Sequence, residues 1–298
     1  QGRAEDLALL IALETGKPLR EARLEVGAVI AKFDLTFADA DRWVRDEPVT
    51  DGPHPARIRH RPRGPAAVIA PFNFPIHLGH GAALGYLLAG NPVLFKPSPL
   101  AVHTGLAYAA EMQAALPDGV FELVAGWGET GRGLCLHPDV RAVCFTGSVP
   151  VGTSLARELA ADYSKSLALE LGGKNSLIVC ADADLEAAAT AVADGLCLTT
   201  GQRCNATSRV IIDQRVLPDF VASLLAKLAA YEPGDPMDPA TTLGPLISEA
   251  ARKRYAERIA LNAGEWVLPG KCEESPVNGK RGYYVRPAVL HANAAIDT

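Results

Sequence analysis

From residue 66 to residue 171 the chain alternates short apolar runs with longer stretches of helical spacing. Runs at 66–70, 92–95, 120–125, 141–145 and 166–171 have strand length, while 75–89, 101–115, 129–136 and 151–162 place apolar residues at helical intervals. Gly90 stands where the first of these helices should stop. Parallel strands cannot be joined by tight turns and need crossovers long enough to hold a helix. This alternation therefore predicts βαβ units and an α/β fold with a mostly parallel, helix-covered sheet.

The pattern differs on either side. Residues 4–32 read as helix, broken at Thr15-Gly16-Lys17-Pro18, and 34–56 are more polar and read as a connection. After Gly173 the alternation restarts, with strand at 176–180 and an Ala-rich helix capped by Asp182 or Asp184 and running to about 199. Strand 208–213, helix 217–230, a Pro/Gly/Asp-rich loop over 232–246 and helix 248–263 follow. A domain change is expected near 172, giving domains 1–172 and 173–298, with about 41–62 as a connection or oligomerisation segment. A chain of 298 residues is long enough for two modest domains or one large one. It opens at Gln1 inside a helical pattern and stops at Thr298 without a closing element, so a segment of a longer chain, C-terminally incomplete, is expected.

Composition narrows the partners. Hydrophobic residues make up 48% and charged residues 21%, as in soluble globular proteins, and the net charge is −5. The densest basic stretch, Arg57 to Arg63, is short and alternates like an exposed strand, so neither nucleic acid nor an anionic membrane surface is expected as a partner. No signal peptide and no apolar run of membrane length is present. None of the six cysteines (Cys135, Cys144, Cys180, Cys197, Cys204, Cys272) forms a C-x-x-C pair, which leaves no metal or dithiol motif. Cys144 and Cys180 sit in apolar runs and read as small core residues. A reducing cytoplasm, where a free thiol survives, is the expected location.

Two residues carry chemistry. Glu170 lies in Leu-Ala-Leu-Glu-Leu-Gly-Gly-Lys-Asn (167–175) and Cys204 ends Gly-Gln-Arg-Cys (201–204), each among small residues where a strand is expected to hand over to a turn. A thiolate can attack an electrophilic carbon and hold it, and a carboxylate can activate the water that releases it. Taken singly, Cys204 more often reads as a buried structural thiol and Glu170 as a surface or helix-capping carboxylate. Asn73, before Phe-Pro, reads as a turn residue and Lys96 as a strand-end lysine. Two loops suit phosphate. Gly126-Trp-Gly128-Glu-Thr-Gly131 fits G-x-G-x-x-G between a strand and a helix, although the acidic residue expected about 20 positions on is missing. Phe145-Thr-Gly-Ser-Val-Pro-Val-Gly152 turns from strand into helix and offers free N–H groups at a helix start. Two such loops at the same edge of one sheet favour a nucleotide.

Six motifs in order resemble the aldehyde dehydrogenase superfamily: Glu14-Thr-Gly-Lys-Pro18, Ala70-Pro-Phe-Asn-Phe-Pro75, Gly90-Asn-Pro-Val-Leu-Phe-Lys-Pro97, Phe145-Thr-Gly-Ser148, Leu169-Glu-Leu-Gly-Gly-Lys-Asn175 and Gly201-Gln-Arg-Cys204. The resemblance covers nearly the whole chain. It implies a Rossmann-type cofactor domain over 1–172 and a second α/β catalytic domain after it. It implies Cys204 as nucleophile, Glu170 as the base for hydrolysis of the thioester, and Asn73 with the Cys204 N–H as oxyanion donors. It places NAD, or NADP, with its adenosine ribose near Lys96, its adenine side along Gly128 and Gly131, its pyrophosphate at Gly147, Ser148, Val149, Pro150, Val151 and Gly152, and its nicotinamide beside the backbone at Leu171. Many members carry a ribose-binding Glu three positions after the lysine; here that position is Pro99, which puts NAD preference in question.

The 59–78 stretch resembles members acting on a carboxylate-bearing semialdehyde such as N-succinylglutamate 5-semialdehyde, and puts His77 on the helix after Asn73, facing the substrate tunnel. A homo-oligomer is implied for the full-length form. Two other readings stand beside this one. In a CoA-acylating semialdehyde dehydrogenase, CoA resolves the thioester, and Glu170 argues against that. A non-catalytic homologue would serve as a scaffold or binding protein; intact Cys204, Glu170 and Asn73 argue against that, and the expected C-terminal incompleteness argues for keeping it.

Overall fold

The computed structural model describes residues 2–49, 52, 54–261, 264–275 and 277–292. The end of the expected helix at 262–263, positions 50, 51 and 53 of the expected connection, and both termini lie outside them. The chain divides into two compact units: Gln1–Leu10 with Arg23–Leu171, and Ile11–Ala22 with Gly172–Thr298. Helix α1 spans Ala4–Thr15 and α2 spans Leu19–Val44. Between them Gly16 takes φ +75, a left-handed conformation that ends a helix without a Cβ penalty. The expected connection over 34–56 starts as helix instead, because α2 runs on to Val44. Its polar residues are those of a largely exposed helix, and polarity alone does not separate such a helix from a loop. Strands β1 (Glu47–Val49) and β2 (Ala56–Ile58) then pair antiparallel.

The rest of the first unit is a doubly wound sheet. Its elements are β3 (Ala66–Ile69), α3 (His77–Leu88), β4 (Val93–Lys96), α4 (Val102–Ala115), β5 (Phe121–Leu123), α5 (Gly128–Leu136), β6 (Ala142–Gly147), α6 (Val149–Leu159) and β7 (Ser166–Leu171). All pairings are parallel, in the order β5-β4-β3-β6-β7. Strand order therefore reverses between β3 and β6, the switch point at which open α/β sheets bind ligands. The two faces are filled by alternate residues, as pleating requires. Ala67, Ile69, Val143 and Phe145 pack with Cys135, Leu155 and Leu159 from α5 and α6. On the other face Phe95 stacks with Phe121 at 5.7 Å between ring centroids and meets Tyr108 of α4 edge-on at 5.2 Å. Each such fully buried large side chain contributes about 1.5–3 kcal/mol.

In the second unit β8 (Asn175–Val179) pairs parallel with β9 (Thr207–Ile212). Helices α7 (Leu185–Cys197) and α8 (Leu217–Leu228) cover one face of this ladder through Val179, Val192, Phe220 and Leu224. Asp184 caps α7 by accepting from the Ala187 N–H at 3.0 Å. Helix α9 (Glu249–Ile259) follows a Ser248 cap. Strand β10 (Glu265–Leu268) pairs with β13 (Val289–His291), and β11 (Lys271–Cys272) with β12 (Val285–Arg286), both antiparallel. Glu232 and Glu273 grip Arg286 there.

Cys180 corrects an expectation. It is exposed, not core. Among the described residues the ladder is covered on one face only, and Ile178 and Ile211, which share the other face, are 68% and 56% exposed. Cys180 has the parity of Ile178. No helix among the described residues is long and apolar enough to cross a membrane, and no cluster of three metal-ligating side chains occurs among them.

Glycine packing in the second unit gives a direct test. A Cβ on Gly244 would lie 1.7 Å from the backbone oxygen of Gly16, which cannot move aside as a side chain could. Gly244→Ala is expected to cost at least about 3 kcal/mol in urea denaturation. Gly133, inside α5 with nothing within 4 Å of its Cβ direction, gives the contrast: Gly133→Ala should stabilise by about 0.5–1 kcal/mol.

Candidate active site

Parallel register brings one set of residues to one end of the first unit's sheet. Ile69 of β3 aligns with Lys96 of β4 and with Phe145 of β6, and Thr146 aligns with Glu170 of β7. Every strand then leaves the sheet at this carboxyl end. Asn73 follows β3, Lys96 ends β4, Gly128 opens α5 after β5, Gly147 ends β6 and Glu170 is the second-last residue of β7. Both glycine loops are at this end, separated by β4 and β3.

The G-x-G-x-x-G match is not at the first strand of the sheet, where the dinucleotide fingerprint belongs. It follows β5, at the sheet edge. Gly126 takes φ +153 and packs on Thr130. Gly131 serves Lys96: a Cβ there would come within 3.3 Å of the lysine Cδ and Cε. Lys96 is buried, its Nζ donating to the Pro97 carbonyl at 3.1 Å. Burial draws its ammonium below the ordinary lysine value. Gly128 has open space around it.

The turn after β6 is the better phosphate cradle. Ser148 is the N-cap of α6 yet makes no side-chain capping bond, and Pro150 follows at the helix start. Ser148, Val149, Pro150 and Val151 are exposed. The first-turn N–H groups of such a helix, with the positive end of its dipole, suit an anion. Gly152 does not share that exposure. It is buried, and a Cβ on it would meet Leu171 at 2.5 Å, so it sets how closely α6 packs on β7. Pro99 opens a 3-10 turn capped by Ser98, whose Oγ accepts from the Leu100 N–H at 3.2 Å.

Asn73 is half-buried. Just after it, Glu25 of α2 accepts from the N–H groups of Ile76 and His77, both at 3.2 Å. This buried carboxylate satisfies the start of α3, which has no side-chain cap of its own. His77, the first residue of α3, meets Phe74 edge-on at 6.2 Å. Glu170 is exposed on β7, and its charge adds to burial in raising the Cys144 thiol.

In the second unit Cys204 is exposed. It sits in a turn after α7 and before β9, so a helix and a 3-10 turn precede it where a strand was expected. The segment 195–206 carries no strand periodicity. The buried thiols Cys135 and Cys197 are poor nucleophiles. Burial pushes Cys135 up to about 11 and Cys197 up to about 12, and a protonated buried thiol is inert. Cys180 is exposed but lies beside a cavity of about 540 Å³ lined by Ile178, Asp182, Ile211, Asp213 and Arg215.

The backbone at Cys204 is fixed. Asn175, the last residue of the 167–175 motif, donates Nδ2 to the Cys204 carbonyl at 2.7 Å. Upstream, Thr199 and Thr200 take φ 56 and φ 54. β-branched residues rarely adopt this conformation, which costs on the order of 1–3 kcal/mol each and collects at functional sites. Asn175, Glu21 and Glu25 were not singled out from sequence. The signal for Asn175 was its place in the motif; neither glutamate has one, since each reads as an ordinary helical carboxylate.

Comparison with known proteins agrees with these features. The aldehyde dehydrogenase family pattern matches residues 1–295. N-succinylglutamate 5-semialdehyde dehydrogenase 1 of Caulobacter vibrioides is 41% identical over 256 residues, covering 84% of this chain and 54% of that protein. The chain thus spans about half the length of that relative. Among solved structures, the NAD-dependent aldehyde dehydrogenase from Sinorhizobium meliloti superposes with a TM-score of 0.88 at 33% identity, covering 97% of this chain and 58% of that one. The glyceraldehyde-3-phosphate dehydrogenase GapN of Methanocaldococcus jannaschii, complexed with NADP, superposes with a TM-score of 0.86 at 29% identity, covering 98% and 63%. With its motifs, its switch-point sheet and its matched length taken together, this chain belongs to the aldehyde dehydrogenase family.

Proposed function

We propose that the gene product containing this chain oxidises an aldehyde to its carboxylic acid through a thioester on Cys204, with NAD or NADP as acceptor. The observation that carries the reading is the row of Asn73, Lys96, Gly147–Ser148 and Glu170 along one end of a switch-point sheet, in a chain whose exposed Cys204 has its backbone carbonyl bonded by the Asn175 amide. The residues fit a dinucleotide. The uncapped start of α6 would take its pyrophosphate, Lys96 its adenosine ribose, and the open surface at Gly128 its adenine side. When bound, the cofactor supplies a hydride acceptor.

The chain's own groups do the rest. Cys204 Sγ, as thiolate, bonds to the aldehyde carbon, and the carbonyl π electrons move to oxygen. The Asn73 amide and the Cys204 N–H stabilise that oxyanion; one such donor is typically worth roughly 3–4 kcal/mol. Loss of hydride leaves an acyl group on Cys204. Glu170 then takes a proton from water, whose oxygen attacks the acyl carbon and expels the Cys204 thiolate. CoA acylation needs no such base, so Glu170 favours hydrolysis.

The substrate we infer is a semialdehyde bearing a carboxylate, of the N-succinylglutamate 5-semialdehyde type. The 59–78 stretch supports this, as does the similarity to the N-succinylglutamate 5-semialdehyde dehydrogenase of Caulobacter. We also place the gene product in the cytoplasm as a homo-oligomer. Exposed Trp43, Val49 and Ile58, at the end of α2 and on the β1–β2 hairpin, support contact through the 41–62 segment.

Cys204→Ala in the whole gene product should abolish aldehyde oxidation while cofactor binding, read by fluorescence titration, persists; retained turnover would sink the covalent route. Glu170→Gln should slow steady turnover by about 10²–10⁴-fold yet keep a pre-steady-state burst of reduced cofactor. Loss of the burst would move Glu170 to an earlier step. Across a panel of aldehydes, dicarboxylic semialdehydes should give the highest kcat/KM. With Pro99 in place of a ribose acceptor, NAD and NADP should differ by less than about tenfold, or about 1.4 kcal/mol. A preference for aliphatic or aromatic aldehydes would remove the substrate assignment.

A further inference from the structure

We propose that Glu21 is a positioning residue for Cys204, its buried carboxylate holding the left-handed Thr199–Thr200 turn that leads into the nucleophile. The inference rests on reading Cys204 as the nucleophile. Glu21 Oε2 accepts from the Thr199 N–H at 2.8 Å and from Thr199 Oγ1 at 3.2 Å. Glu21 is 8% exposed, and its other oxygen is buried with no hydrogen-bond partner among the described residues. Burial pushes its carboxyl up, against the bonds from Thr199 and the charges of Lys17 and Arg20.

A packing role alone would be met by an apolar side chain without an unsatisfied oxygen. The carboxylate instead supplies an acceptor at the first of two strained residues. Thr200 is held separately, its Oγ1 donating to the Gly244 carbonyl at 2.9 Å. Gly244 in turn lies against Gly16. The 11–22 segment thus braces the turn twice, through Glu21 directly and through Gly16 by way of Gly244. Gln202 closes the turn, its N–H and Nε2 donating to the Thr199 carbonyl at 3.0 and 3.2 Å. Two residues later Asn175 fixes the Cys204 carbonyl. The backbone is therefore pinned on both sides of the Arg203–Cys204 step, whose N–H is the proposed oxyanion donor. Such donors act only when already in place, and a displacement of about 1 Å can cost 10²-fold in rate.

The test compares Glu21→Met, which fills the space and accepts nothing, with Glu21→Gln, which keeps an acceptor, in the whole gene product. Hydrogen exchange reads the turn without reference to activity. In Glu21→Met, amides of 198–204 should exchange at least about tenfold faster while α7 keeps its protection. In the same variant kcat should fall at least about tenfold with KM for the aldehyde within about threefold, and Glu21→Gln should stay near wild type in both readouts. Unchanged exchange at 198–204 in Glu21→Met, or loss of protection spread equally through α7, overturns the proposal. So does a loosened turn with unaltered kcat, or a Glu21→Gln variant as impaired as Glu21→Met. If wild type oxidises no aldehyde, the functional reading fails on its own, and exchange still decides whether Glu21 holds the turn.

Discussion

Parallel pairing is the constraint on which the first unit depends. Strands that run in one direction must finish at one end, and the connections that return the chain must cross a sheet face as helices. Once β3 to β7 are paired in register, Asn73, Lys96, Gly147 and Glu170 reach the same end, although they are spread over almost 100 residues of sequence. No side-chain interaction is needed to gather them. The sheet order adds a second condition, because the reversal between β3 and β6 keeps the helices on either side of that point from covering the strand ends.

Within that frame the recognition motifs divide by what they do. Gly90-Asn-Pro-Val-Leu-Phe-Lys-Pro97 is mostly structural. Gly90 takes φ +79 after α3, and Asn91 Oδ1 accepts from the N–H groups of Arg63 and Gly64 at 2.7 and 3.1 Å. Only Lys96 has a candidate ligand role. Glu14-Thr-Gly-Lys-Pro18 has none: Gly16 closes α1 and packs against Gly244 and Pro245. In 167–175 both kinds of residue occur, Glu170 for chemistry and Asn175 for the backbone of Cys204. An ordered motif thus identifies a family without showing which of its residues touch a ligand.

The strands and helices of 66–171 were legible because their periodicity is local and their boundaries are marked by Gly and Pro. What was missed is non-local or short. The strands β10 to β13 are two to four residues long and, unlike the equally short β3 to β5, have no helices between them to mark them off. Cys180 looked like core because an apolar run says that some face is buried, not that both are. The turn at Thr199–Thr200 was hidden for a different reason. β-branched residues argue against a left-handed turn, and the groups that impose it come from position 21 and position 244.

This last case bears on how strain is held near a nucleophile. A glycine pair would adopt the same backbone without penalty, but it would also visit many others. Two threonines restrict the alternatives, and their side chains supply the hydroxyls by which Glu21 and the Gly244 carbonyl select one of them. The strain and the bonds that oppose it come from the same residues, so the turn is costly to form and costly to leave. Glu25, one helical turn along α2, accepts from the start of α3 in the same way. Helix α2 carries none of the proposed chemistry, yet two of its side-chain carboxylates accept from main-chain N–H groups, Glu25 within the first unit and Glu21 within the second.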